Sequence, residues 1–360
     1  MLISELDYHL PPERIATRPA EPRDASRLMV VSETVEHRIF AQVTDYLRAG
    51  DLLVVNETRV LPAKLALRRR TGAAIPGLFL REIKPGLWEA MLRTRGKAEV
   101  GETLHAEGYT FELQARHGEG IWQLAVAPAN SAEVILKKIG HIPLPPYIER
   151  RRKEDGETAE TAADRDWYQT VFAQHGEGGK SVAAPTAGLH FTPELLAKVQ
   201  AIGVHRTAVE LEVGTGTFLP VETPTLEEHR MHVERYHVPV ATAEALRAAR
   251  RDKRRIVAVG TTTVRTLEAA AAQILNPSHH HAEIAGETDL KISPGFAFQL
   301  TDVLITNFHL PRSTLMALVA AFLGHNGVNR LKQLYAEAIS KEYRFYSYGD
   351  AMMVEGKPLA

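Results

Sequence analysis

The 360-residue chain contains no cysteine, which excludes disulfides, thiolate nucleophiles, cysteine-ligated zinc and the three-cysteine cluster of radical enzymes. It carries no charge excess either. Lys plus Arg total 43 against 44 for Asp plus Glu, so an anionic partner has to be met by a local patch and not by the field of the whole molecule. Long apolar runs are missing: the densest, LMALVAAFLG from Leu315, is too short to span a bilayer, and the opening MLISELDYHLPPERIATRP is broken by charge and proline before a signal-peptide core forms. A cytoplasmic protein without membrane contact is the expectation. No internal repeat of fixed period occurs. At a prior of about 100 to 200 residues per domain, the length implies two domains.

Four times in the second half an apolar run breaks into a loop of Thr, Gly, His and Asn and passes into a helix-like pattern. The four are SVAAPTAGLHFTPELLAKV from Ser181, ELEVGTGTF from Glu210, RIVAVGTTTVRTLEAAA from Arg255 and DVLITNFHLPRSTLMALVAAF from Asp302. Buried strands feeding helices through short connections spell a parallel α/β sheet, which binds ligands at the carboxyl ends of its strands. DLLVVNETRVLP, with its polar exit at Asn56, Glu57, Thr58 and Arg59, follows the same grammar.

From Ala63 to Pro143 the style changes to short strands parted by turns: KLALRRR, GLFLREI, LWEAMLRT, YTFELQAR and IWQLAVAP, with Lys84-Pro85-Gly86 and Gly118-Glu119-Gly120 as hairpin turns. The expected fold is therefore α/β, a mainly parallel sheet with flanking helices over residues 1–62 and 146–360, interrupted by a small antiparallel β-barrel over 63–145. Residues 154–166 and 276–288, too polar to bury themselves, are expected to be mobile loops, with strand-like LKISPGFAF following the second.

Several constellations carry chemistry. GTTTVRTLE opens a helix whose first turn presents Gly260, Thr261, Thr262 and Arg265; free N–H groups there suit a carboxylate or phosphate, while threonine capping explains the same residues without a ligand. Arg265 and Glu268, three apart, also fit an exposed helix pair. Gly214, Gly216 and Thr217 in ELEVGTGTF resemble the glycine motif of S-adenosylmethionine methyltransferases, but Pro220 and Pro224 disfavour the helix that must follow. His229 and His232 have the spacing that places two imidazoles on one helix face; no third ligand is identifiable, so substrate contact or a plain helix surface competes with metal. The run His279, His280, His281 reads as solvated loop. His190 in PTAGLHFT and His309 in TNFHLP sit in matching loop positions past strands, where a general acid or base is held rigidly, although each alone fits a satisfied core histidine.

Arg247 to Arg255 gathers Arg250, Arg251, Arg254 and Arg255, and Arg151 and Arg152 form a second cluster. Such groups supply phosphate contacts to RNA, or merely coat a solvated helix face.

Ten segments in order resemble the S-adenosylmethionine:tRNA ribosyltransferase-isomerases of queuosine biosynthesis, the QueA family. They are LDYHLPPERIATRPAEPRDASRL, GDLLVVNETRVLPAKL, GHIPLPPYIERR, WYQTVFA, SVAAPTAGLHFT, GTGTFLPV with EEHRMH, VGTTTVRTLE, SPGFAF, LITNFHLPRSTL and YRFYSYGDAM. The resemblance implies an α/β domain interrupted by a barrel and a reaction that moves the ribosyl group of S-adenosylmethionine onto 7-aminomethyl-7-deazaguanine at the tRNA wobble position. Epoxyqueuosine, adenine and methionine result. S-adenosylmethionine is then a consumed cosubstrate, with no resident cofactor or metal, and a monomer is expected. Within that reading His190 and His309 form the proton-transfer pair, Glu210 or Asp350 holds a cationic group, and Arg265 or Arg344 meets the methionine carboxylate. Asp350 fits a structural cap equally well. Asn56, Thr58, Arg59, Thr186, Gly214, Gly216, Thr217, His229, His232, Gly260, Thr261, Thr262 and Asn307 border the substrates. The sequence departs from the family pattern at Glu212 (commonly His), Thr215, Ala320, Ala74 and Pro76. An S-adenosylmethionine-dependent RNA methyltransferase and a non-catalytic RNA-binding module are the competing readings.

Overall fold

The structure is a computed structural model that describes all residues except 95, 97, 119, 176–179, 215–220, 277, 279–281 and 357–360. Two compact units result: Met1–Arg59 with Pro145–Thr161 and Asp166–Ala360, and Val60–Leu144 with Ala162–Arg165.

The larger unit is built on nine strands, β1 (Arg27–Val31), β2 (Val35–Ile39), β3 (Leu52–Asn56), β4 (His205–Leu211), β5 (Glu234–Val238), β6 (Ile256–Val259), β7 (Ile284–Thr288), β8 (Val303–Asn307) and β9 (Ala351–Glu355), in the order β7-β5-β4-β3-β6-β8-β9-β1-β2. The central four, β4-β3-β6-β8, are mutually parallel, as is β9 with β1; the remaining pairs are antiparallel. Among the described residues, the helices of eight residues or more that accompany the sheet are α1 (Pro146–Glu154), α2 (Pro193–Ala201), α3 (Val240–Arg251), α4 (Thr261–Leu275), α5 (Thr314–Phe322) and α6 (Gly327–Ser340).

Period-two alternation explains why the central strands read as unbroken apolar runs. Leu53, Val55, Val257, Val259 and Ile305 face a core that includes Phe191, Leu195 and Val199. Leu52, Val54, Ile256, Ala258 and Leu304 face the other way, onto Leu246, Leu267, Ala271 and Val319 of α3, α4 and α5. A strand covered on both faces needs an apolar residue at every position. Because β8 and β9 are antiparallel, the start of β9 lies beside Asn307; β1, parallel to β9, brings Ser26 and Arg27 to the same end. That end therefore gathers the exits of β3, β4, β6 and β8 with the entries of β1 and β9.

The smaller unit closes on itself. Strands Lys64–Arg69, Ala74–Lys84, Leu87–Leu92, Ile121–Ala127, Tyr109–Arg116 and Thr103–Ala106 pair in sequence, and Arg68↔His105 with Arg69↔Leu104 seals the ring. Its interior is aromatic: Trp88 packs against Phe79 at 4.9 Å and Phe111 at 5.7 Å between centroids. The closing strand Thr103–Ala106 was not anticipated from sequence, since four residues carry too little alternation to register.

Three expectations need correction. Residues 276–288 are not wholly loop: Ile284–Thr288 pairs antiparallel with β5. Gly286 hides this strand from a propensity reading, yet it is needed there, because a Cβ would lie 2.8 Å from the Tyr236 hydroxyl. LKISPGFAF forms no strand; Pro294 lies in a turn closed by Phe296 N–H donating to Ser293 O at 3.0 Å. The SVAA run contributes no strand to the nine-stranded sheet, its backbone being held by Val182 N–H to Val213 O at 3.2 Å. Among the described residues, no helix is long and apolar enough to cross a membrane.

Gly327, at the start of α6, lets that helix approach α5 at Ala320: an added Cβ would meet the Ala320 carbonyl oxygen at 1.9 Å. Gly327→Ala is expected to lower unfolding stability by about 1–3 kcal/mol or more through overpacking, read as a lower urea midpoint with an unchanged m-value. An unaltered midpoint would contradict this contact.

Candidate active site

At the carboxyl ends of β6 and β8 lies a cleft with a volume of about 110 Å³. Its walls come from the 183–187 loop, Val213, Gly260, Thr261, Thr262 and Arg265 of α4, Thr306 to Leu310, Leu315, and Tyr147, Tyr168, Tyr346 and Ser347. Of the residues singled out by sequence, Thr186, Gly260, Thr261, Thr262, Arg265, Asn307 and His309 meet here.

Asn307 ends β8 and ties three loops together. Its Oδ1 accepts from Thr186 Oγ1 at 3.0 Å, and its Nδ2 donates to Tyr346 O at 3.1 Å and to His190 Nε2 at 3.2 Å. A carbonyl can only accept, so the Tyr346 contact fixes the amide's orientation. His190 Nε2 must then be unprotonated, and Nδ1–H donates to Ser26 Oγ at 2.8 Å. The ring stacks on Phe40 at 4.9 Å and is 4 % exposed. Burial, with the nearby Arg344 and Arg23 charges, lowers its pKa to about 3. His190 does not line the cleft. Both nitrogens are committed to partners, so the structure does not bring His190 together with His309 in the cleft.

His309 differs. It lines the cleft, and its Nε2 pairs with Thr306 Oγ1 at 2.8 Å, while Nδ1 has no partner among the described residues. Its backbone is clamped on both sides: N–H donates to the Tyr335 hydroxyl at 2.9 Å and C=O accepts from the Tyr8 hydroxyl at 2.5 Å. Burial lowers its pKa to about 4, so the imidazole is neutral at physiological pH. The neighbouring Ser313 caps α5 by accepting from Met316 N–H at 3.3 Å, which ends the loop firmly.

Gly260 stands at φ +92, a conformation that glycine adopts without strain, and turns the chain from β6 into α4. Arg265 and Glu268 are buried and do not pair with each other. Arg265 Nη1 donates to Glu234 and Nε to Leu290 O at 3.1 Å. Glu268 accepts from Gln299 N–H, Leu300 N–H and the Thr301 hydroxyl, with its pKa raised by burial. Glu234 also accepts from Gly214 N–H at 3.4 Å. Sequence reasoning missed Glu234, although its signal is visible: in ERYHV it occupies the same buried face of β5 as Tyr236 and Val238. It also missed the tyrosines, whose phenols burial keeps protonated, that of Tyr147 being pushed up to about 12.

Other sequence candidates lie elsewhere. Asn56 is buried and joins β3 to β4 through Leu211 N–H and C=O, both at 3.3 Å, and accepts from Thr58 N–H at 3.1 Å. Thr58 is likewise buried; neither residue, nor Arg59, lines the cleft. Glu210 is not in the lining; its side chain faces His237 Nδ1 at 3.8 Å. Asp350 is 1 % exposed and accepts from Arg27 N–H, Arg344 N–H and Arg344 Nη2 at 3.0, 2.7 and 3.3 Å, so it and Arg344 brace the turn before β9, and neither lines the cleft. Among the described lining residues there is no Asp or Glu. Gly216, Thr217 and the His279–His281 run lie outside the described residues. His229 and His232 occupy no helix, because residues 221–233 form turns and extended chain, and Lys291 donates to the carbonyls of Leu226, Glu227 and His229 there. The shared helix face on which a metal reading rested does not exist.

Most of the clustered arginines are held by partners within the chain. Arg250 grips Asp302 at 2.8 and 3.0 Å, Arg255 grips Asp51 and Glu355 at 2.6 and 2.7 Å, and Arg254 donates to Gly50 O at 3.4 Å. Arg152, 1 % exposed, donates to the carbonyls of Thr17 and Ala159, and Arg151 pairs with Asp155 at 2.8 Å. Arg251, 73 % exposed, adjoins Asp252. Residues near 250–255 precede β6 and so lie at the end of the sheet opposite the cleft.

The two depressed histidines predict a pH dependence of stability. The unfolded chain takes up protons at both positions below about pH 6.5 while the folded one does not, so stability is full above that pH and is lost as pH falls through the window by up to about 1.4 kcal/mol per unit per histidine. The window extends down to about pH 4 for His309 and about pH 3 for His190. Urea midpoints at pH 7 and pH 5 should fall for the parent chain and fall less for His190→Gln; equal falls would contradict the buried neutral state of His190.

Known proteins bear out the resemblance stated for the sequence. Residues 3–354 match the family described as queuosine biosynthesis protein. A protein of Thermotoga maritima named S-adenosylmethionine:tRNA ribosyltransferase-isomerase is 46 % identical over 357 residues, covering 98 % of this chain and all of its own. One of Anaeromyxobacter sp. with the same name is 45 % identical over 360 residues, covering 98 % and 99 %. A crystal structure of an S-adenosylmethionine tRNA ribosyltransferase from Thermotoga maritima superposes with a TM-score of 0.53, 38 % identity, and coverage of 98 % of this chain and all of that one. A family match spanning nearly the entire chain, joined to a strand-end cleft built from the family's own motifs, places this chain in the queuosine biosynthesis protein family.

Proposed function

We propose that the chain is an S-adenosylmethionine:tRNA ribosyltransferase-isomerase, transferring and isomerising the ribosyl group of S-adenosylmethionine onto a 7-aminomethyl-7-deazaguanine wobble base, with release of adenine and methionine. S-adenosylmethionine serves as a consumed cosubstrate, no resident cofactor is required, and tRNA is the partner. The observation that carries this reading is His309: neutral, clamped at its backbone, and presenting an unpartnered Nδ1 in a cleft at the strand ends.

The sulfonium acidifies the adjacent ribosyl 5′ carbon. With Nε2–H donating to Thr306 Oγ1, His309 Nδ1 offers a lone pair that can remove a proton there. Loss of adenine, attack by the nucleobase amine and epoxide closure with departure of methionine follow. The tyrosine faces of Tyr147 and Tyr346, in edge contact at 4.7 Å, suit the sulfonium in a lining without described carboxylates. His190, through Asn307, holds the loops in register. Pro220 and Pro224 after the glycine turn disfavour a helix there, and the described residues 221–233 contain none, which weakens the methyltransferase alternative.

Incubation with S-adenosylmethionine and tRNA bearing the aminomethyl base should yield adenine plus methionine; S-adenosylhomocysteine would indicate methyl transfer, and no product a binding module. His309→Gln is expected to lower kcat by about 10²- to 10⁴-fold while the affinity for S-adenosylmethionine stays within a few-fold. The parent pH–rate profile should show no inflection near 6.5, since loss of the base awaits protonation at about pH 4; full turnover by His309→Gln with an unchanged pH–rate profile would refute the assignment.

A further inference from the structure

Two polar atoms at the start of α4 are buried without a partner among the described residues: Arg265 Nη2 and Thr262 Oγ1. Their residues are three apart and so share one face of a 15-residue helix, and both line the cleft. The arginine is 6 % exposed, and its remaining donors are already placed, Nη1 on Glu234 and Nε on Leu290 O at 3.1 Å. The guanidinium is therefore held in one orientation with its Nη2 amino group left over. Nearby hydroxyls are spent differently: Thr263 Oγ1 donates to Val259 O at 2.7 Å and Thr266 Oγ1 to Thr262 O at 3.1 Å. The N-cap is Gly260, so no side chain covers the first N–H groups of the helix.

A buried donor without an acceptor is costly, and a ligand oxygen would offset that cost. Glu234 balances the arginine's charge, and the helix terminus adds about half a positive charge. That combination suits one singly charged anion and not a run of phosphates.

We propose that this end of the cleft is the subsite for the α-carboxylate of S-adenosylmethionine, one oxygen meeting Arg265 Nη2 and the other Thr262 Oγ1 and the helix N–H groups, with Glu234 as the positioning residue that aims Arg265. The proposal rests on the ribosyltransferase reading and deepens it. Because Glu234 also holds Gly214 N–H, it couples the glycine turn to the carboxylate subsite. A phosphate of the bound tRNA would present similar oxygens, so the test separates the two sources.

Calorimetric affinities for S-adenosylmethionine and for its decarboxylated analogue, together with tRNA affinity in the absence of either, are measured for the parent chain and for Thr262→Val, Arg265→Gln and Glu234→Gln. The parent should prefer the carboxylate-bearing ligand by about 10- to 100-fold, the range expected for charge-assisted hydrogen bonds. Arg265→Gln should bring that ratio close to one. Thr262→Val and Glu234→Gln should reduce it several-fold, with binding of the decarboxylated analogue and of tRNA held within about two-fold. Thr262→Val preserves shape and carries the test if Arg265→Gln fails to fold. A parent ratio near one, or ratios unmoved by all three changes, overturns the subsite, and reduced tRNA affinity with an unmoved ratio reassigns it to phosphate. Failure of the parent to bind S-adenosylmethionine at all would instead remove the ribosyltransferase reading beneath it.

Discussion

The amide of Asn307 is the contact on which the cleft depends. One side chain, at the end of β8, accepts from Thr186, donates to the Tyr346 carbonyl and donates to His190, so loops from three distant stretches of chain are referred to a single point. The geometry of these three partners is self-consistent only if His190 stays neutral, and burial keeps it so. Tyr346 sits at φ +72, a backbone conformation that a residue of this size adopts only when its surroundings hold it there. The Asn307 contact supplies part of that hold, together with Tyr346 N–H to Phe308 O at 3.0 Å.

Charge is distributed by the same logic. The buried ionic groups near the strand ends are matched internally: Arg265 with Glu234, Asp350 with Arg344 and two backbone N–H groups, Glu268 with backbone and hydroxyl donors. What remains for a ligand is a cleft of protonated phenols, a neutral imidazole, and two unspent donors on α4. A zwitterionic sulfonium compound matches such a lining better than a free phosphate chain does. The arginine-rich start of β6 shows the contrast, because its cations serve Asp51, Asp302 and Glu355 in fastening strand ends together.

Much of this was legible in the sequence wherever one residue pattern had one physical solution. VLITN and IVAV can only be strands covered on both faces, and the loops after them had to face a cleft. Motif order identified the family. That His309 lines the cleft was legible as well, by its place just past a strand. Partnership across long separations was not. His190 looked like a second acid–base group because nothing local reveals that Ser26, 164 residues away, takes its other nitrogen. The basic cluster at 250–255 looked free because its acids lie at positions 51, 302 and 355. Gly286 concealed a strand for the opposite reason, since the tyrosine that demands a glycine there belongs to the neighbouring strand.

The central claim is that S-adenosylmethionine occupies the cleft around Asn307 and His309. Amide hydrogen exchange with and without S-adenosylmethionine tests it most directly. Slowed exchange confined to the segments that line the cleft, 183–187, 261–265, 306–310 and 346–347, is the expected result. Protection at the opposite end of the sheet around Arg250 to Arg255, with those segments unchanged, would contradict it.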